Sequence, residues 1–176
     1  MMIQKSTLVL CDTCIILEAF RLNVWDNLVK EYNIVVSETI VNETKYYTDI
    51  SGNDISINLN LYKEVIAIVS KTPSEVSKFT SDTDNGFDAS YLEKFDPGET
   101  ELLCHLYENR MADILICSSD HITFKTLGKL LMSDKGISLE ELLTRKGLHK
   151  KLDYQYTKNF REQVSKAGFA NFTLPK

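Results

Sequence analysis

The sequence predicts an α/β fold, with helices covering a central, mostly parallel sheet of four or five strands. Two observations lead to this prediction. Short, continuous apolar runs recur along the chain, which is typical of strands buried on both faces. Segments with helical spacing or helix-start signals separate these runs, and strands that alternate with helices imply right-handed crossovers and parallel pairing. The expected architecture is therefore three layers, α/β/α, with a helical C-terminal part.

Four apolar runs are the predicted strands, and each is expected to be buried. The first leads directly into Asp12, and the fourth is followed by Ser118, Ser119 and Asp120. The third run could also be helical, because no helix-breaking residue precedes it. The four runs span residues 7–11, 34–36, 65–69 and 114–117.

Helices are predicted between the strands and over the last part of the chain. The clearest start is at Asp96, which can cap the helix, with Pro97 at the first helical position and Glu99 completing a capping box. Polar segments at 49–60 and 72–88 are predicted to be surface loops or short helices. The predicted helices span residues 13–20, 25–32, 38–47, 99–109, 122–132, 139–145 and 154–167.

Length and composition indicate a soluble globular protein. The 176 residues suit one domain, 1–176, in which residues 137–176 form a helical extension packed on the rest. The hydrophobic fraction of 43% contains no apolar stretch near the ~20 residues that a membrane span needs. Without a membrane span or a secretory signal, a cytoplasmic location is expected. Cys11, Cys14 and Cys117 lie in or beside apolar runs, where a free Cys behaves as a small hydrophobic residue, so reduced thiols are expected.

Charge is distributed unevenly along the chain, although the net charge is only -5. Residues 1–124 contain 9 Lys and Arg against 20 Asp and Glu, whereas residues 125–176 contain 11 against 5. An acidic body is suited to binding cations, and a basic C-terminal third is suited to binding phosphates. The simpler interpretation is that the lysines form a solvated helical face.

Two acids follow predicted strands at the position where α/β proteins bind ligands. Asp12 comes directly after the first strand, and Asp120 comes shortly after the fourth. Ligands of open parallel sheets collect outside the carboxyl ends of the strands. If these two strands are neighbours, the two carboxylates converge. Each Asp also precedes a predicted helix, so a capping role is the alternative for both.

Two glutamates are predicted to approach the same end of the sheet. Glu43 lies in the helix after the second strand, and its alternative role is an exposed Glu paired with Lys30 or Lys45. Glu99 lies in the first turn of its helix, where the capping box is the alternative role. Glu101 is about 200° farther around that helix, so Glu99 and Glu101 are not expected to line one site together.

Four carboxylates at one partly buried point raise one another's pKa values unless a cation compensates them. Mg²⁺ and Mn²⁺ prefer oxygen ligands, and the set has no His or Cys arrangement suited to zinc. The sequence therefore predicts that Asp12, Glu43, Glu99 and Asp120 hold one or two Mg²⁺ or Mn²⁺ ions.

These motifs, in this order, resemble those of the PIN-domain nucleases, and the resemblance covers most of the chain. Residues 8–16 resemble the family's first strand, metal-binding Asp and following hydroxyl residue, and residues 35–43 resemble its second strand and second acid. Residues 96–101 resemble the Gly-Glu-x-Glu motif of one branch, and residues 114–120 resemble the strand that ends in Ser/Thr-x-Asp. Residues 137–169 resemble the helical C-terminal part of that branch.

The resemblance implies a metal-dependent endoribonuclease that hydrolyses phosphodiester bonds in single-stranded RNA. Asp12, Glu43, Glu99 and Asp120 would be the catalytic, metal-binding acids, and the metal would activate water and neutralise charge on the phosphate. Supporting residues that orient these acids would be Thr13, Ser118 and Glu101.

The resemblance also bears on partners. Many members of the family are toxins of toxin–antitoxin pairs, which implies an antitoxin protein that holds the nuclease inactive; a homodimer is a further expectation. Lys125 and Lys129, on the helix after Asp120, are predicted to bind the RNA backbone, and Lys158 and Arg161 are weaker candidates.

Other interpretations of the motifs compete with the nuclease. A haloacid dehalogenase-type phosphotransferase needs a second Asp where Cys14 stands. The Cys11-Asp12-Thr13-Cys14 segment has the spacing of a redox or zinc motif, but no second Cys-x-x-Cys accompanies it. The serious alternative is a catalytically inert, PIN-like binding module or complex subunit whose acids are retained as helix caps.

Overall fold

The structure is a computed structural model that describes residues 7–173. Its strands and helices alternate over most of this range, as the sequence predicts. The strands are β1 (Leu8–Cys11), β2 (Asn33–Ser37), β3 (Tyr46–Thr48), β4 (Asp54–Ser56), β5 (Ile66–Val69), β6 (Ile114–Cys117) and β7 (Gly136–Ile137). The helices are α1 (Thr13–Arg21), α2 (Trp25–Glu31), α3 (Glu38–Glu43), α4 (Pro73–Ser81), α5 (Ala89–Leu92), α6 (Pro97–Glu108), α7 (His121–Lys129), α8 (Leu139–Thr144) and α9 (Lys158–Thr173).

The central sheet has five strands in the order β5-β2-β1-β6-β7, and every pairing in it is parallel. This confirms the predicted three-layer α/β fold. β1 lies at the centre, and its register with β6 places Cys11 opposite Cys117. The residues that follow β1 and β6 therefore leave the sheet side by side, as the convergence of Asp12 and Asp120 requires.

The prediction for residues 38–60 is wrong in part. The helix predicted over 38–47 ends at Glu43, and the polar segment after it forms a hairpin of β3 and β4 instead of loops or short helices. The ring of Tyr47 stacks on Phe20 with centroids 6.1 Å apart. Aromatic residues favour strands when one face of the strand packs against other residues. Here α1 provides the packing partner, and the periodicity of residues 38–47 alone does not reveal this contact.

β5 and β7 also differ from expectation. The third apolar run is a strand, but β5 pairs only with β2 at the edge of the sheet, so Ile68 is 43% exposed instead of buried. β7 was not predicted at all. It pairs with β6 through Gly136 opposite Ile116. A strand of two residues is too short to produce a periodic pattern of apolar residues.

The C-terminal helices pack on α7 at very short range. A Cβ atom placed on Gly128 would lie 1.9 Å from the backbone oxygen of Ser165, and one on Gly168 would lie 2.0 Å from that of Lys125. The predicted helix 154–167 begins only at Lys158, after a 3-10 turn at Tyr154–Tyr156, and extends to Thr173. The backbones of α7 and α9 meet because both contact positions are glycine.

The four cysteines are free thiols. Cys11 and Cys117 are buried in β1 and β6, whereas Cys14 is exposed in the first turn of α1. Of the helices within residues 7–173, none combines the length and apolar character of a membrane span.

Candidate functional site

Asp12 is held at the carboxyl end of β1 by three hydrogen bonds. Its Oδ1 accepts from the backbone N–H of Ile15 at 2.8 Å, so Asp12 does cap α1. Its Oδ2 accepts from the Ser118 hydroxyl and from the backbone N–H of Ser119 at 3.3 Å. The side chain is buried, with 2% of the residue exposed. The capping role predicted as the alternative for Asp12 is therefore real, and only one of its two oxygens serves it.

Asp120 is linked to Asp12 by hydrogen bonds to the same serine, Ser118. The Ser118 hydroxyl donates to Asp12 and accepts from the backbone N–H of Asp120 at 2.9 Å. Asp120 also caps α7, since its Oδ1 accepts from the backbone N–H of Ile122 at 2.5 Å. Ser118, which is fully buried, thus holds the side chain of Asp12 and the backbone of Asp120.

Glu43 ends α3 and faces the first turn of α1. Its Oε2 accepts a hydrogen bond from the Thr13 hydroxyl at 3.4 Å. Glu43 is exposed, as its alternative role requires, but no ion pair to Lys30 or Lys45 forms among the described side chains. Its contact with Thr13 links the end of α3 to the first residue of α1, which directly follows Asp12.

Glu99 does not form the capping box that its position predicts. Asp96 is the N-cap residue of α6 but makes no side-chain cap hydrogen bond. Glu99 is 9% exposed, and its Oε2 is buried without a hydrogen-bond partner among the described residues. A capping box requires this carboxylate to turn back to the N-cap amide, whereas here it lies among the other acids.

The electrostatics of Glu99 show which charges surround it. Burial contributes most to raising the pKa of Glu99 to about 9, followed by the charges of Asp12, Asp120, Asp96 and Glu43, in that order of size. Each charge contributes because a nearby negative charge disfavours ionisation of this carboxyl group. Three acids chosen from the sequence, Asp12, Asp120 and Glu43, therefore lie within electrostatic range of the fourth, Glu99, and so does Asp96.

Asp12 has a smaller shift for a related reason. Burial is the largest cause in raising the pKa of Asp12 to about 6; the hydrogen bonds from Ser118, Ile15 and Ser119 act in the opposite direction, and the charge of Asp120 adds to the rise. Hydrogen bonds that donate to a carboxylate favour its charged form. Asp12 is thus better hydrogen-bonded than Glu99, one of whose oxygens has no partner.

Glu101 lies on a different side of α6 from Glu99, as the helical geometry predicts. Its Oε1 accepts from the Thr39 hydroxyl on α3 at 2.9 Å. The residue also lines a cavity of about 390 Å³ that Pro73 and Val76 of α4 border from the other side. Glu101 is therefore a contact between α6 and α3 and does not enter the cluster of acids.

The chemistry of the cluster fits a hard divalent cation. All four donors are carboxylates, one buried oxygen has no partner, and the acids raise the pKa of Glu99. A cation of charge +2 would offset this repulsion. Within residues 7–173, no three Asp, Glu, His or Cys side chains already stand as ligands of one ion. The side chains present a concentration of negative charge rather than a closed set of ligands.

The predicted phosphate-binding residues differ in how they are paired. The Arg161 guanidinium donates to both oxygens of Glu141 at 2.8 and 2.9 Å, so its charge is used within the protein. Lys158 lies 3.6 Å from Glu162 on the same helix. Lys125 and Lys129 are half-buried on α7, and the Lys129 ammonium lies 5.3 Å from the centre of the Tyr91 ring.

Three residues at the site escaped the sequence analysis as functional candidates. Asp96 was interpreted only as a cap. Cys14 lies close to the acids, and loss of hydration, then the charge of Asp12, raises its pKa to about 11. Gly98 faces α3, where a side chain would collide. Its position directly before Glu99 was a usable signal, because glycine often marks a close backbone approach.

Comparison with protein-family models gave no match to this chain, and comparison with curated proteins gave none either.

Proposed function

We propose that this chain is a metal-dependent endoribonuclease of the PIN type, which hydrolyses phosphodiester bonds in single-stranded RNA. The observation that carries the proposal is the buried side chain of Glu99, one oxygen of which has no hydrogen-bond partner, among the charges of Asp12, Asp120 and Glu43. Burial of like charges is costly, and binding of a divalent metal ion would offset the repulsion between these carboxylates. The resemblance of the motifs to the PIN family supplies the reaction and the substrate class.

Each acid has a role in this proposal. Asp12, Glu43, Glu99 and Asp120 would hold one or two Mg²⁺ or Mn²⁺ ions, and the metal supplies Lewis acidity and a water of lowered pKa when it is bound. Ser118 orients Asp12 through its hydroxyl and Asp120 through the backbone. Thr13 orients Glu43. Lys125 and Lys129 would bind phosphates of the RNA backbone as the chain passes over α7.

A second candidate function is a PIN-like binding module or complex subunit without catalytic activity. The observation that favours it is the real capping role of both aspartates, since Asp12 caps α1 and Asp120 caps α7. Caps of this kind stabilise a helix by roughly 1 kcal/mol, which is a sufficient reason to retain them. This second function does not explain why one oxygen of Glu99 is buried without a hydrogen-bond partner.

The decisive experiment measures cleavage of a labelled single-stranded RNA in Mn²⁺, with an EDTA control. The test variant is Asp12→Asn, because Asn caps helices about as well as Asp and so preserves α1. The matched control is Asp88→Asn, which alters the cap of α5 instead. We expect Mn²⁺-dependent cleavage by the wild type and Asp88→Asn, and none by Asp12→Asn.

The opposite outcome is equally informative. If the wild type cuts neither RNA nor DNA and calorimetry detects no binding of Mn²⁺, the nuclease proposal is wrong and the binding-module proposal replaces it. For the toxin role with an antitoxin partner, expression of the wild type is expected to arrest growth of a bacterial host, whereas Asp12→Asn does not. Growth that is unaffected by an active nuclease would exclude a toxin and point to RNA processing.

A further inference from the structure

The contact between α3 and α6 depends on the missing side chain of Gly98. A Cβ atom on this residue would lie 2.7 Å from Cγ1 of Ile40 and 3.6 Å from Oε2 of Glu43. The first distance is shorter than real Cβ contacts, so a side chain here would force Ile40 or one of the helices to move. Glycine therefore lets the first turn of α6 approach α3 to the distance observed.

Two polar contacts cross the same interface. The Ser37 hydroxyl, at the start of α3, lies 3.5 Å from the backbone oxygen of Gly98 and donates to it. The Thr39 hydroxyl donates to Oε1 of Glu101 at 2.9 Å. These bonds tie α3 to α6 at Gly98 itself and at Glu101, one turn farther along α6, so the two helices cannot slide freely against each other.

We infer that Gly98 is a positioning residue that sets the separation of Glu43 and Glu99, and that the Thr39–Glu101 hydrogen bond maintains this separation. The inference rests on the proposed function, because it concerns the same metal centre. Glu43 ends α3 and Glu99 adjoins Gly98, so any displacement of one helix from the other moves one acid away from its partner. Coordination distances are held to roughly 0.2 Å in metal sites, and a displacement of a few tenths of an ångström is therefore felt.

A purely structural role for Gly98 makes a different prediction. If the glycine only serves to pack two helices, a larger residue lowers stability and leaves affinity for metal unchanged. Gly136 offers a matched control, since a Cβ atom there would lie 3.0 Å from Cδ1 of Leu127, in the contact of β7 with α7 and away from the acids. The same substitution at both positions separates crowding in general from crowding between α3 and α6.

The first experiment measures Mn²⁺ binding by titration calorimetry for the wild type, Gly98→Ala and Gly136→Ala, with folding verified by circular dichroism. We expect Gly98→Ala to bind Mn²⁺ roughly tenfold or more weakly, the usual effect of disturbing residues that support metal ligands, and Gly136→Ala to bind as the wild type does. Unchanged affinity in Gly98→Ala, or an equal loss in Gly136→Ala, would overturn the inference.

A rescue experiment tests the steric cause. Ile40→Ala removes the atoms that the new methyl group would strike, so the double variant Gly98→Ala/Ile40→Ala is expected to recover most of the lost Mn²⁺ affinity. Ile40 is 1% exposed, and its truncation lowers stability. The melting temperatures of the metal-free single and double variants therefore complete a double-mutant cycle, in which additive effects would show that the two residues do not collide.

A pair of Thr→Val variants tests the Thr39–Glu101 hydrogen bond with little change in side-chain volume. Thr39→Val removes the bond to Glu101, and Thr48→Val removes a bond of the same kind, to Asp54 at 2.9 Å in the hairpin. We expect Mn²⁺ affinity to fall in Thr39→Val, by less than the roughly tenfold loss that follows when residues bonded directly to metal ligands are changed, and to stay unchanged in Thr48→Val. Equal affinities in the two variants would overturn the role of Thr39.

The wild type separates failure of the inference from failure of the proposed function. No Mn²⁺ binding by the wild type overturns both, because no centre then exists to be positioned. Binding by the wild type and equal binding by Gly98→Ala leaves the nuclease proposal intact and overturns only the role of Gly98.

Discussion

Two pairs of helices meet at glycine, and they differ in what the new methyl group would strike. Between α7 and α9, Cβ atoms on Gly128 and Gly168 would lie 1.9 and 2.0 Å from backbone oxygens. Between α3 and α6, a Cβ atom on Gly98 would lie 2.7 Å from a side-chain atom of Ile40. A side chain can turn aside at moderate cost, whereas a helix backbone moves only with the whole helix. The first contact therefore governs stability, and the second governs the placement of charged groups.

The surroundings of the two contacts differ in the same sense. Beside α7 and α9, the rings of Phe124 and Phe160 meet edge to face with centroids 6.2 Å apart, and Leu127 is fully buried. Beside α3 and α6, the pKa of Glu99 is raised to about 9 and one of its oxygens has no partner. Apolar burial stabilises the C-terminal part, while the acidic end of the sheet carries an electrostatic cost that a cation would offset.

The largest expected effect is on stability and lies between α7 and α9. We expect Gly168→Ala to lower the free energy of unfolding by about 3 kcal/mol or more, because the methyl group cannot be accommodated without moving a helix. Urea unfolding followed by circular dichroism measures the change. Lys166→Ala, at an exposed position on the same helix, is the control and is expected to change stability by less than about 0.5 kcal/mol. A stable Gly168→Ala would show that the helices separate easily and would erase the contrast with Gly98.

The second-largest expected effect is a pH dependence of the free energy of unfolding, which Glu99 causes in the metal-free protein. Its pKa in the folded state, about 9, lies above the ordinary value of 4.5. The folded state therefore binds the proton more tightly, so this contribution to stability is complete below pH 4.5 and is lost as the pH rises towards 9. We expect Glu99→Gln to gain stability over the wild type, by on the order of 1 to 3 kcal/mol, between pH 5 and pH 8.

Thermal unfolding in EDTA across this pH range measures the effect. Glu93→Gln, at an exposed position before α6, is the control and is expected to follow the wild type. Parallel pH profiles for Glu99→Gln and the wild type would mean that Glu99 is well hydrated, and the acidic end of the sheet would then carry no electrostatic cost.

A smaller effect is expected for the serine between the two aspartates. Ser118→Ala removes the donor to Asp12 and the acceptor for the amide of Asp120. We expect Mn²⁺ affinity to fall roughly tenfold, as for other residues that orient metal ligands. Ser90→Ala, which removes a hydroxyl bonded to Asp88 at 2.8 Å in α5, is the matched control in the calorimetry. Equal affinities in the two variants would show that the aspartates hold their positions without Ser118.

The smallest expected effect concerns RNA binding. For single-stranded nucleic acid, the slope of log affinity against log salt changes by roughly 0.7 for each phosphate contact. We expect Lys125→Ala/Lys129→Ala to reduce this slope by about 1.4, because two phosphate contacts are removed. The control is Lys150→Ala/Lys151→Ala in an exposed loop, and fluorescence anisotropy at several salt concentrations gives the slopes. An unchanged slope in the test variant would contradict phosphate binding by α7 and leave this helix with a packing role alone.

Much of the candidate site was predictable because its signals are local. A continuous apolar run followed at once by an acid identifies β1 with Asp12, and the same pattern with two serines identifies β6 with Asp120. Both are in the structure as expected. The same kind of local pattern predicts a capping box at Asp96, but the structure does not contain it. The prediction failed because the burial of Glu99 and its proximity to the other acids depend on residues distant in sequence, which a local pattern does not include.

The sequence by itself determined the fold class and the three central strands of the sheet, and it singled out Asp12, Glu43, Glu99 and Asp120 but not Asp96 as candidate site residues. Apolar runs, caps and acids at strand ends act within a few residues of one another, so their order along the chain is enough. Only the tertiary structure decided that β5 lies at the edge, that β7 extends the sheet, and that Gly98 allows α3 to meet α6. Those features depend on contacts between residues distant in sequence, and whether a glycine or an acid matters there depends on which atoms stand opposite it.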